Sequence, residues 1–399
     1  MSNNSSYYDV IIIGGGASGL MCAAALNMKE PSFKVLVIDK NSKPGRKLLA
    51  TGNGRCNFTN LSITSDSYNT DDRDKLQSIL NVYTSDCIIN FFEKKLGVIP
   101  AFKGELAYPI TYQSKTVSEA LVEACSKTEF VYDTEVKSVV KDGMDYIVNG
   151  SYTGHSVVFA CGGVSLPDSG SNGSLYPTIR NYAGNDSFEK LLPSLVPLKT
   201  SDKDLKKLSG LRQECTVTMC GRVEKGELLF TDYGVSGICI MQLSGYYNRA
   251  VSSGQKIDAL YADLIPSMDY ETKKNCVSEL LAAFPDRTPA DALSGLLKKP
   301  IAECVIARSD GTAENIAYII GNFRISLAGS LGFDNAQVTS GGVKLSSLTR
   351  GLELIKSRGL YVCGEAVNAD GLCGGFNLHW AWSSALTVAD SIVDTFEVE

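Results

Sequence analysis

The sequence predicts an α/β protein, because its N-terminal part alternates apolar runs with a helical pattern. Residues 8–27 read YDVIIIGGGASGLMCAAALN, which is an apolar run, a glycine turn and then small residues at helical spacing. The stretch KVLVID from Lys34 is a second apolar run. A strand, a helix and another strand in this order are typical of a parallel sheet that carries helices on its faces.

The glycine turn predicts a dinucleotide site. Gly14, Gly16 and Gly19 fit G-x-G-x-x-G, in which the first glycine forms a tight turn, the second admits a pyrophosphate and the third lets helix and strand pack closely. N–H groups at the helix start would face the phosphate. Asp39 ends the second run, 20 residues beyond Gly19, where a carboxylate can accept hydrogen bonds from ribose hydroxyls. A glycine turn without a ligand is the weaker interpretation, and both NAD and FAD fit.

The segment GRKLLATGNGRCNFTN, Gly45 to Asn60, matches neither a helix nor a strand. Its glycines permit close approach to a ligand, and its arginines and lysine are cationic donors. A simple NAD-binding unit would continue here into a helix and a third strand. The segment therefore favours a long, doubly phosphorylated ligand, and the other interpretation is a solvated basic loop.

Composition limits the function classes. Lys and Arg total 38 against 44 Asp and Glu, a net charge of −6 without a long run of either sign, which disfavours a nucleic-acid-coating surface. Twelve scattered cysteines without a CxxC pair favour reduced thiols in a cytosol. Without a secretory signal or an apolar run of about 20 residues, we expect a cytoplasmic protein that does not enter membranes. Two histidines and no HExxH motif argue against a metal site.

Two long motifs, the segment Gly45 to Asn60 and GLYVCGEAVNADGLCGGFNLHWAWSSA from Gly359, closely resemble a family of bacterial FAD-containing oxidoreductases. Its members are NAD(P)/FAD-dependent enzymes of the aminoacetone-oxidase and bile-acid-pathway type. The motifs VVFACGGVSLPDSGSNG, SLVPL, LSGL, GELLFTDYGVSG and VTSGGV occur between them in the family's order. The resemblance implies FAD and a two-dinucleotide-type Rossmann-like domain with an inserted β-barrel and a small helical subdomain.

We accordingly expect an FAD-binding domain from residues 1–194 and 346–399, a barrel from 195–267 and 322–345, and a helical subdomain over 268–321. ECTVTMCGRV and KIDALYADLIP predict strands of the insertion. YETKKNCVSELLAAF, PADALSGLLKK and TAENIAYIIGNF predict its helices, the second begun by Pro289. TEVKSV, Thr134 to Val139, alternates like a strand.

The motifs and the resemblance together indicate the residues that contact FAD. They are Gly14, Gly16, Ala17, Ser18, Gly19, Asp39, Lys40, Gly45, Arg46, Lys47, Gly52, Asn53, Gly54, Arg55, Cys56, Asn57, Glu135, Val136, Ala160, Gly162, Gly163, Gly364, Glu365, Gly374, Gly375, Phe376, Asn377 and Leu378. The resemblance places Glu135 and Val136 near the adenine and the helix after Gly375 against the flavin pyrimidine. Free amides and the helix dipole there would stabilise the reduced ring and favour hydride acceptance at N5. No residue stands in a context that signals covalent attachment.

Three residues are candidates for catalysis. Where many family members read GELLFTHYGISGP, this chain has Asp232 for the histidine and Ile238 for the proline, and Asn368 replaces an aspartate of LDVDG. Asp232 would have to take over any proton transfer by that histidine. His379 could reach the active site, although a packed histidine is commoner. Cys56 could form a redox pair with Cys373, although buried cysteines mostly behave as small apolar residues.

The resemblance implies hydride transfer between flavin N5 and a small organic substrate, with an enone C=C bond as first choice. Only one G-x-G-x-x-G is present, so NAD(P)H would dock transiently as donor. Amine oxidation of the aminoacetone type is the second hypothesis. An RNA-modifying flavoprotein, disfavoured by the acidic balance, and a structural flavin are further ones. The pattern leaves the oligomeric state undetermined.

Overall fold

The computed structural model describes residues 6–398, and their contacts divide the chain into two units. The first unit combines the described residues up to Leu191 with those from Val338 onward, and the second unit spans Leu192–Gln337. The sequence-based boundaries were 195 and 345. The chain returns to the first unit earlier because Val338–Val343 forms a fully buried strand that pairs with the strand Phe188–Ser194.

The N-terminal part of the first unit alternates strands and helices. Its elements are β1 (Ser6–Ile13), α1 (Ala17–Lys29), β2 (Val35–Ile38), α2 (Arg46–Ala50), β3 (Thr59–Asn60), β4 (Tyr68–Thr70), α3 (Arg73–Val82), α4 (Ser85–Asn90), β5 (Pro100–Lys103), β6 (Leu106–Pro109), α5 (Ser114–Ala124), β7 (Glu129–Val131), β8 (Val139–Asp142), β9 (Asp145–Val148), β10 (Tyr152–Phe159), α6 (Tyr176–Ala183) and β11 (Phe188–Ser194).

The second unit is a closed barrel with helices and its own hydrophobic core. Its elements are β12 (Leu198–Thr200), β13 (Arg212–Met219), β14 (Arg222–Phe230), β15 (Gly234–Ser236), α7 (Ile238–Ser252), β16 (Ala259–Asp263), α8 (Tyr270–Ala283), α9 (Pro289–Ala292), α10 (Lys299–Ala307), α11 (Ala313–Gly321) and β17 (Phe323–Ser330). The barrel order is β12-β15-β14-β13-β16-β17, and these pairs are antiparallel.

The chain then returns to the first unit with β18 (Val338–Val343), β19 (Leu360–Val362), β20 (Ala369–Gly371) and α12 (Phe376–Val398). The central seven-stranded sheet contains β7-β2-β1-β10 as parallel neighbours, and β19 pairs in parallel with the end of β10. Because β1, β2, β10 and β19 are parallel, their carboxyl ends meet at one edge. Gly14, Asp39, Ala160 and Cys363 follow these ends directly. The sheet therefore brings four of the sequence motifs together.

Two strand predictions were wrong in detail. Residues 134–138 are irregular, and β8 begins only at Val139. The side-chain Oδ1 of Asn149 accepts hydrogen bonds from the N–H groups of Lys137 and Ser138 at 2.8 and 3.3 Å, which occupies amides that a strand ladder would use. ECTVTMCGRV is not one strand, because Cys220 and Gly221 have φ of 54° and 69° and form the turn between β13 and β14.

The helix predictions match α8 and α11, whereas PADALSGLLKK forms only α9 and a following 3-10 turn. Helices α7 and α10 were not anticipated. Within the described chain, no helix combines the length and apolar character that crossing a membrane requires.

Candidate functional site

The glycine turn has the geometry that the G-x-G-x-x-G pattern requires. A Cβ on Gly19 would lie 1.8 Å from the carbonyl oxygen of Gly14, so helix α1 can approach β1 only with glycine there. A Cβ on Gly16 would meet no protein atom within 4 Å. Packing therefore explains Gly19, whereas the open space beside Gly16 is left for a ligand. Ala17 is partly exposed, and Ser18 is buried with its Oγ 2.5 Å from where a Cβ on Gly364 would lie.

Asp39 is buried and connects the turn to β2. Its Oδ2 accepts a hydrogen bond from the Gly15 N–H at 2.6 Å, and its Oδ1 accepts one from the Asn41 N–H at 2.7 Å. Each carboxylate oxygen retains capacity for another donor such as a ribose hydroxyl. The Thr134 N–H donates to the Asp39 carbonyl at 3.1 Å, which brings the loop of Glu135 and Val136 to the same edge. Lys40 follows Asp39 as a partly exposed cation.

The segment Gly45 to Asn60 is tied to the glycine turn by the Gly45 N–H, which donates to the Gly15 carbonyl at 2.8 Å. After α2 the backbone has positive φ at Gly52, Asn53, Gly54 and Cys56, between 54° and 80°. A run of left-handed residues that includes an asparagine and a cysteine is costly and typical of functional sites. Arg46 and Arg55 project from this segment as exposed side chains, and neither forms a hydrogen bond or ion pair within residues 6–398.

A polar network joins four motifs that are far apart in the chain. The Lys47 Nζ pairs with the Glu365 Oε2 at 2.7 Å, and the Glu365 Oε1 accepts the Thr339 N–H at 2.8 Å. The Thr339 Oγ1 accepts the N–H groups of Val164 and Ser165 at 2.8 and 3.0 Å. Gly162 and Gly163 begin this turn, and a Cβ on Gly163 would lie 2.2 Å from the Thr339 Oγ1. Lys47 and Glu365 thus position the surrounding backbone by pairing with each other.

The N-terminus of α12 meets the end of the Gly45 to Asn60 segment. A Cβ on Gly375 would lie 2.6 Å from the Thr59 carbonyl and 3.0 Å from the Asn57 Oδ1. The first helical N–H to find a backbone acceptor is that of His379, which donates to the Gly375 carbonyl. Within the described residues, the N–H groups of Phe376, Asn377 and Leu378 have no protein acceptor, as is usual for a first turn.

The Asn57 side chain adds an unpartnered acceptor beside these amides. Asn57 is 8% exposed, and its Oδ1 has no hydrogen-bond partner in the part of the chain described. A buried amide oxygen without a donor is unfavourable, and a ligand that brings a donor would relieve it. Free amides, a buried free acceptor and the open space beside Gly16 all lie in the first unit. This donor and acceptor set fits a ligand with a pyrophosphate at one end and a hydrogen-bonding ring at the other.

The two tryptophans hold site backbone in place, as core residues. The Trp380 Nε1 donates to the Gly364 carbonyl at 3.0 Å, and the Trp382 Nε1 donates to the Phe58 carbonyl at 2.8 Å. Sequence reasoning missed these contacts, and it also missed the role of Thr339. The motif VTSGGV contains Thr339, so a threonine buried in a glycine-rich strand was the available signal.

Two of the candidate catalytic residues are enclosed. The His379 ring is fully buried, its Nδ1 lies 2.7 Å from the Thr59 Oγ1, and burial lowers its pKa to about 4. It is therefore a neutral imidazole that joins α12 to β3. Burial raises the pKa of the Cys56 thiol to about 12, so this side chain stays protonated at neutral pH. Burial also raises the pKa of Cys373, and neither sulfur has thiolate character.

Asp232 belongs to the second unit. It lies exposed in the turn between β14 and β15, where the Thr231 N–H donates to the Gly234 carbonyl at 2.8 Å. The same unit has a cavity of about 450 Å³ on the barrel wall. Its lining includes Thr216, Thr218, Lys225, Tyr261, Asp263 and Asn322, none of which is a predicted cofactor residue. Across the described residues, no cluster of His, Cys, Asp or Glu could hold a metal ion.

The fold and the glycine turn, Gly14 to Gly19, define a protein of the dinucleotide-binding Rossmann class. The chain belongs to the HI0933-like family, since the sequence model of the HI0933-like protein Rossmann domain matches residues 8–391. The predictions of the family, of an α/β fold with a barrel and of an FAD-dependent oxidoreductase are confirmed.

Similar proteins extend over nearly the whole chain. A 3-dehydro-bile acid delta(4,6)-reductase from Clostridium scindens is 28% identical over 92% of this chain and 95% of the relative. A ribosomal RNA dihydrouridine synthase from Escherichia coli is 32% identical over 97% of this chain and 98% of the relative. The corresponding enzyme of Haemophilus influenzae is 31% identical over 97% of this chain and 99% of the relative.

Solved structures share the fold at low sequence identity. A 3-ketosteroid delta1-dehydrogenase from Sterolibacterium denitrificans has a TM-score of 0.53 at 14% identity, covering 98% of this chain and 100% of that chain. A flavocytochrome c3 fumarate reductase has a TM-score of 0.52 at 14% identity, covering 98% of this chain and 78% of that chain. These likenesses concern the architecture alone.

Proposed function

We propose that this protein is an FAD-dependent reductase that saturates a carbon–carbon double bond conjugated with a carbonyl group. The similar bile-acid enzyme is named as a delta(4,6)-reductase of a 3-dehydro substrate. The similar ribosomal RNA enzymes form dihydrouridine, which requires saturation of the uracil double bond next to a carbonyl. Both names therefore describe saturation of a carbon–carbon double bond, and we propose hydride addition to the carbon β to a carbonyl as the reaction of this chain.

The observation that carries the proposal is the free first turn of α12 beside the unpartnered Asn57 Oδ1. In the proposed arrangement, the turn at Gly16 to Ser18 holds the FAD pyrophosphate, Asp39 the adenosine ribose, and Glu135 and Val136 the adenine side. The segment Gly45 to Asn57 and the α12 N-terminus hold the flavin. Bound FAD supplies hydride chemistry at N5, and the amides and dipole of α12 stabilise negative charge on the reduced ring.

The FAD is proposed to be non-covalent. Cys56 is enclosed and protonated, and His379 is enclosed and bonded to Thr59. Precipitation with acid should therefore release the yellow colour into the supernatant, and colour that stays in the pellet would contradict this. We further propose NAD(P)H as a transient electron donor, because the chain has only one G-x-G-x-x-G pattern.

The exposed side chains near the end of the Gly45 to Asn60 segment favour a small apolar carbonyl compound as substrate. The hairpin β5–β6 pairs with β3, the end of the Gly45 to Asn60 segment. It exposes Phe102 (51%), and the flanking Ile99 and Ile110 are 49% and 59% exposed. Apolar side chains grouped beside a site are typical of an apolar ligand. We propose no nucleic acid or membrane as partner, in keeping with the net charge of −6.

Ribosomal RNA is the second candidate substrate, because both dihydrouridine synthases are more than 30% identical over 97% of this chain. The exposed, unpaired Arg46 and Arg55 could contact phosphates in that case. Amine oxidation has no counterpart among the relatives named above.

One anaerobic experiment separates these functions. The purified yellow protein is mixed with NADH or NADPH, and bleaching of the flavin is followed. The reduced protein then receives, in separate reactions, a steroid enone, cyclohexenone and an unmodified ribosomal RNA fragment, whereas aminoacetone is added anaerobically to the oxidised protein. We expect reoxidation by the enones with formation of the saturated ketone. If RNA alone reoxidises the flavin and dihydrouridine is formed, ribosomal RNA is the substrate in place of a small enone. If aminoacetone reduces the flavin and no enone is turned over, the proposal is overturned.

A further inference from the structure

Tyr108 lies on strand β6, which is next to both long motifs of the site, the segment Gly45 to Asn60 and the motif from Gly359. Strand β6 pairs with β3 through Thr59 opposite Ala107 and Asn60 opposite Leu106, and the Phe58 N–H donates to the Ala107 carbonyl at 2.9 Å. A Cβ added to Gly374 would lie 3.3 Å from the Leu106 Cδ2, so Leu106 packs closely against Gly374. Tyr108 follows Leu106 by two residues, so both side chains leave the same face of the strand. That face is directed to the N-terminus of α12.

The phenol of Tyr108 is free to act on a ligand. Within residues 6–398 its hydroxyl forms no hydrogen bond, and the side chain is only partly exposed. Arg55 from the first motif and Cys373 from the second lie within electrostatic reach of it. Its ring centroid lies 5.5 Å from that of Tyr112, which stands outside the strand. A phenol without a protein partner beside a hydride-transfer site is available as a proton donor.

The proposed reaction needs such a donor. Hydride addition to the carbon β to a carbonyl leaves an enolate, and the adjacent carbon must then receive a proton. His379 and Cys56, the first-unit candidates from the sequence, are fully buried and cannot touch a substrate. Tyr108 combines a titratable proton and partial exposure with a place on the same strand face as Leu106, which contacts Gly374.

We propose that Tyr108 is the general acid of the reductive reaction, an inference that rests on the proposed function. Hydride from reduced FAD brings two electrons to the β carbon, where a C–H bond forms and the π bond breaks. The Tyr108 O–H bond then breaks as its proton joins the α carbon, which gives the saturated carbonyl compound. The phenolate regains a proton from water. The same step serves an enone and a uracil ring.

The groups around the phenol are compatible with this role. Burial raises the pKa of Tyr108 above its usual value near 10, the Arg55 guanidinium opposes the rise, and Cys373 and Tyr112 add to it. The phenol is therefore protonated at neutral pH and ready to donate. A rate that depends on this proton falls only when the pH exceeds the raised pKa.

The test compares Tyr108→Phe with the matched control Tyr112→Phe. Each holoprotein is reduced anaerobically with dithionite and mixed with cyclohexenone or a steroid enone, and flavin reoxidation is followed in a stopped-flow instrument. We expect Tyr108→Phe to slow reoxidation by about 100-fold or more, the range for loss of a general acid, and to remove the loss of rate at high pH. Tyr112→Phe should keep the parental rate at neutral pH and should still lose rate at high pH.

A second readout does not involve turnover. A phenol in contact with a flavin quenches its fluorescence by electron transfer, so Tyr108→Phe should lengthen the fluorescence lifetime of bound FAD and Tyr112→Phe should not. If the parent is reoxidised and Tyr108→Phe matches it in rate and pH profile, Tyr108 is not the acid. If the parent is not reoxidised by any enone or by RNA, the proposed function fails and this inference with it. An unchanged lifetime in Tyr108→Phe would show that Tyr108 is not at the flavin.

Discussion

Lys47 and Glu365 lie 318 residues apart in the chain and form an ion pair at 2.7 Å, with about a fifth of each side chain exposed. The pair joins the two motifs that most clearly mark the family. Since the Glu365 Oε1 also accepts the Thr339 N–H, one carboxylate holds three segments.

Removal of this pair should weaken the first unit. Lys47→Met should lower the free energy of unfolding by about 1–3 kcal/mol, because it removes a charge-assisted hydrogen bond in a partly buried site. A double-mutant cycle with Glu365→Gln, followed by urea unfolding, should show coupling of about 0.5 kcal/mol or more. Lys115→Met is the matched control, since Lys115 and Glu119 form a pair at 3.4 Å with side chains about 70% exposed. If both lysine variants lose equal stability, the pair has no special role.

Variants at two glycines of the glycine turn should distinguish an effect on FAD binding from an effect on folding. Gly16→Val should fold normally without FAD, because its Cβ would meet no protein atom within 4 Å, but it should retain no FAD because the branched side chain fills the pyrophosphate path. Gly19→Ala should destabilise the protein itself, since its Cβ would lie 1.8 Å from the Gly14 carbonyl oxygen. Flavin absorbance per protein and thermal unfolding measure the two effects. Gly295→Val, at a second open position, is the control that should keep its FAD. A fully loaded Gly16→Val protein would mean that the phosphate lies elsewhere.

The segment Gly45 to Asn60 can be tested at two residues of opposite burial. Asn57→Ala removes a buried, unpartnered acceptor, so we expect weaker FAD binding by about 1–2 kcal/mol and little change in the stability of the flavin-free protein. Arg55→Ala should change FAD affinity or the midpoint potential by an equivalent of more than about 1 kcal/mol, although the side chain is exposed. Arg350→Ala, another exposed arginine of the first unit, is the control. Parent-like values for both Asn57→Ala and Arg55→Ala would place the flavin away from this segment.

His379 should make stability depend on pH. Burial lowers its folded-state pKa from 6.5 to about 4, so between these values the unfolded chain binds a proton that the folded protein does not. This contribution is fully present above pH 6.5, is lost as the pH falls toward 4, and amounts to about 3 kcal/mol. Urea unfolding at pH 7 and at pH 4.5 should therefore show a smaller loss of stability for His379→Asn than for the parent. If His379→Asn and the parent lose equal stability between the two pH values, the buried imidazole does not carry this dependence.

The sequence alone determined the Rossmann-like start of the chain, whereas the cofactor contacts of its residues stay a prediction. Strand β1, the turn Gly14 to Gly19, strand β2 and the α12 start are local patterns, in which periodicity and glycine spacing decide the structure. The inserted barrel was predicted only through the resemblance to a family, because each of its short strands is a weak signal in the sequence. TEVKSV showed the limit of periodicity, since the side chain of Asn149 took the backbone amides that a strand would have needed.

Only the tertiary structure decided what the side chains of the site do. Lys47 and Glu365, both predicted to contact the cofactor, form an ion pair with each other, and His379 is a buried contact of Thr59. Tyr108 carried no sequence signal, because its position depends on the pairing of β6 with β3 and on the approach of Leu106 to Gly374. Burial, charge pairing and the availability of a proton arise from residues that are distant in the chain. Local spacing encodes where the backbone turns, whereas the chemistry of each side chain depends on which distant neighbours fill the space around it.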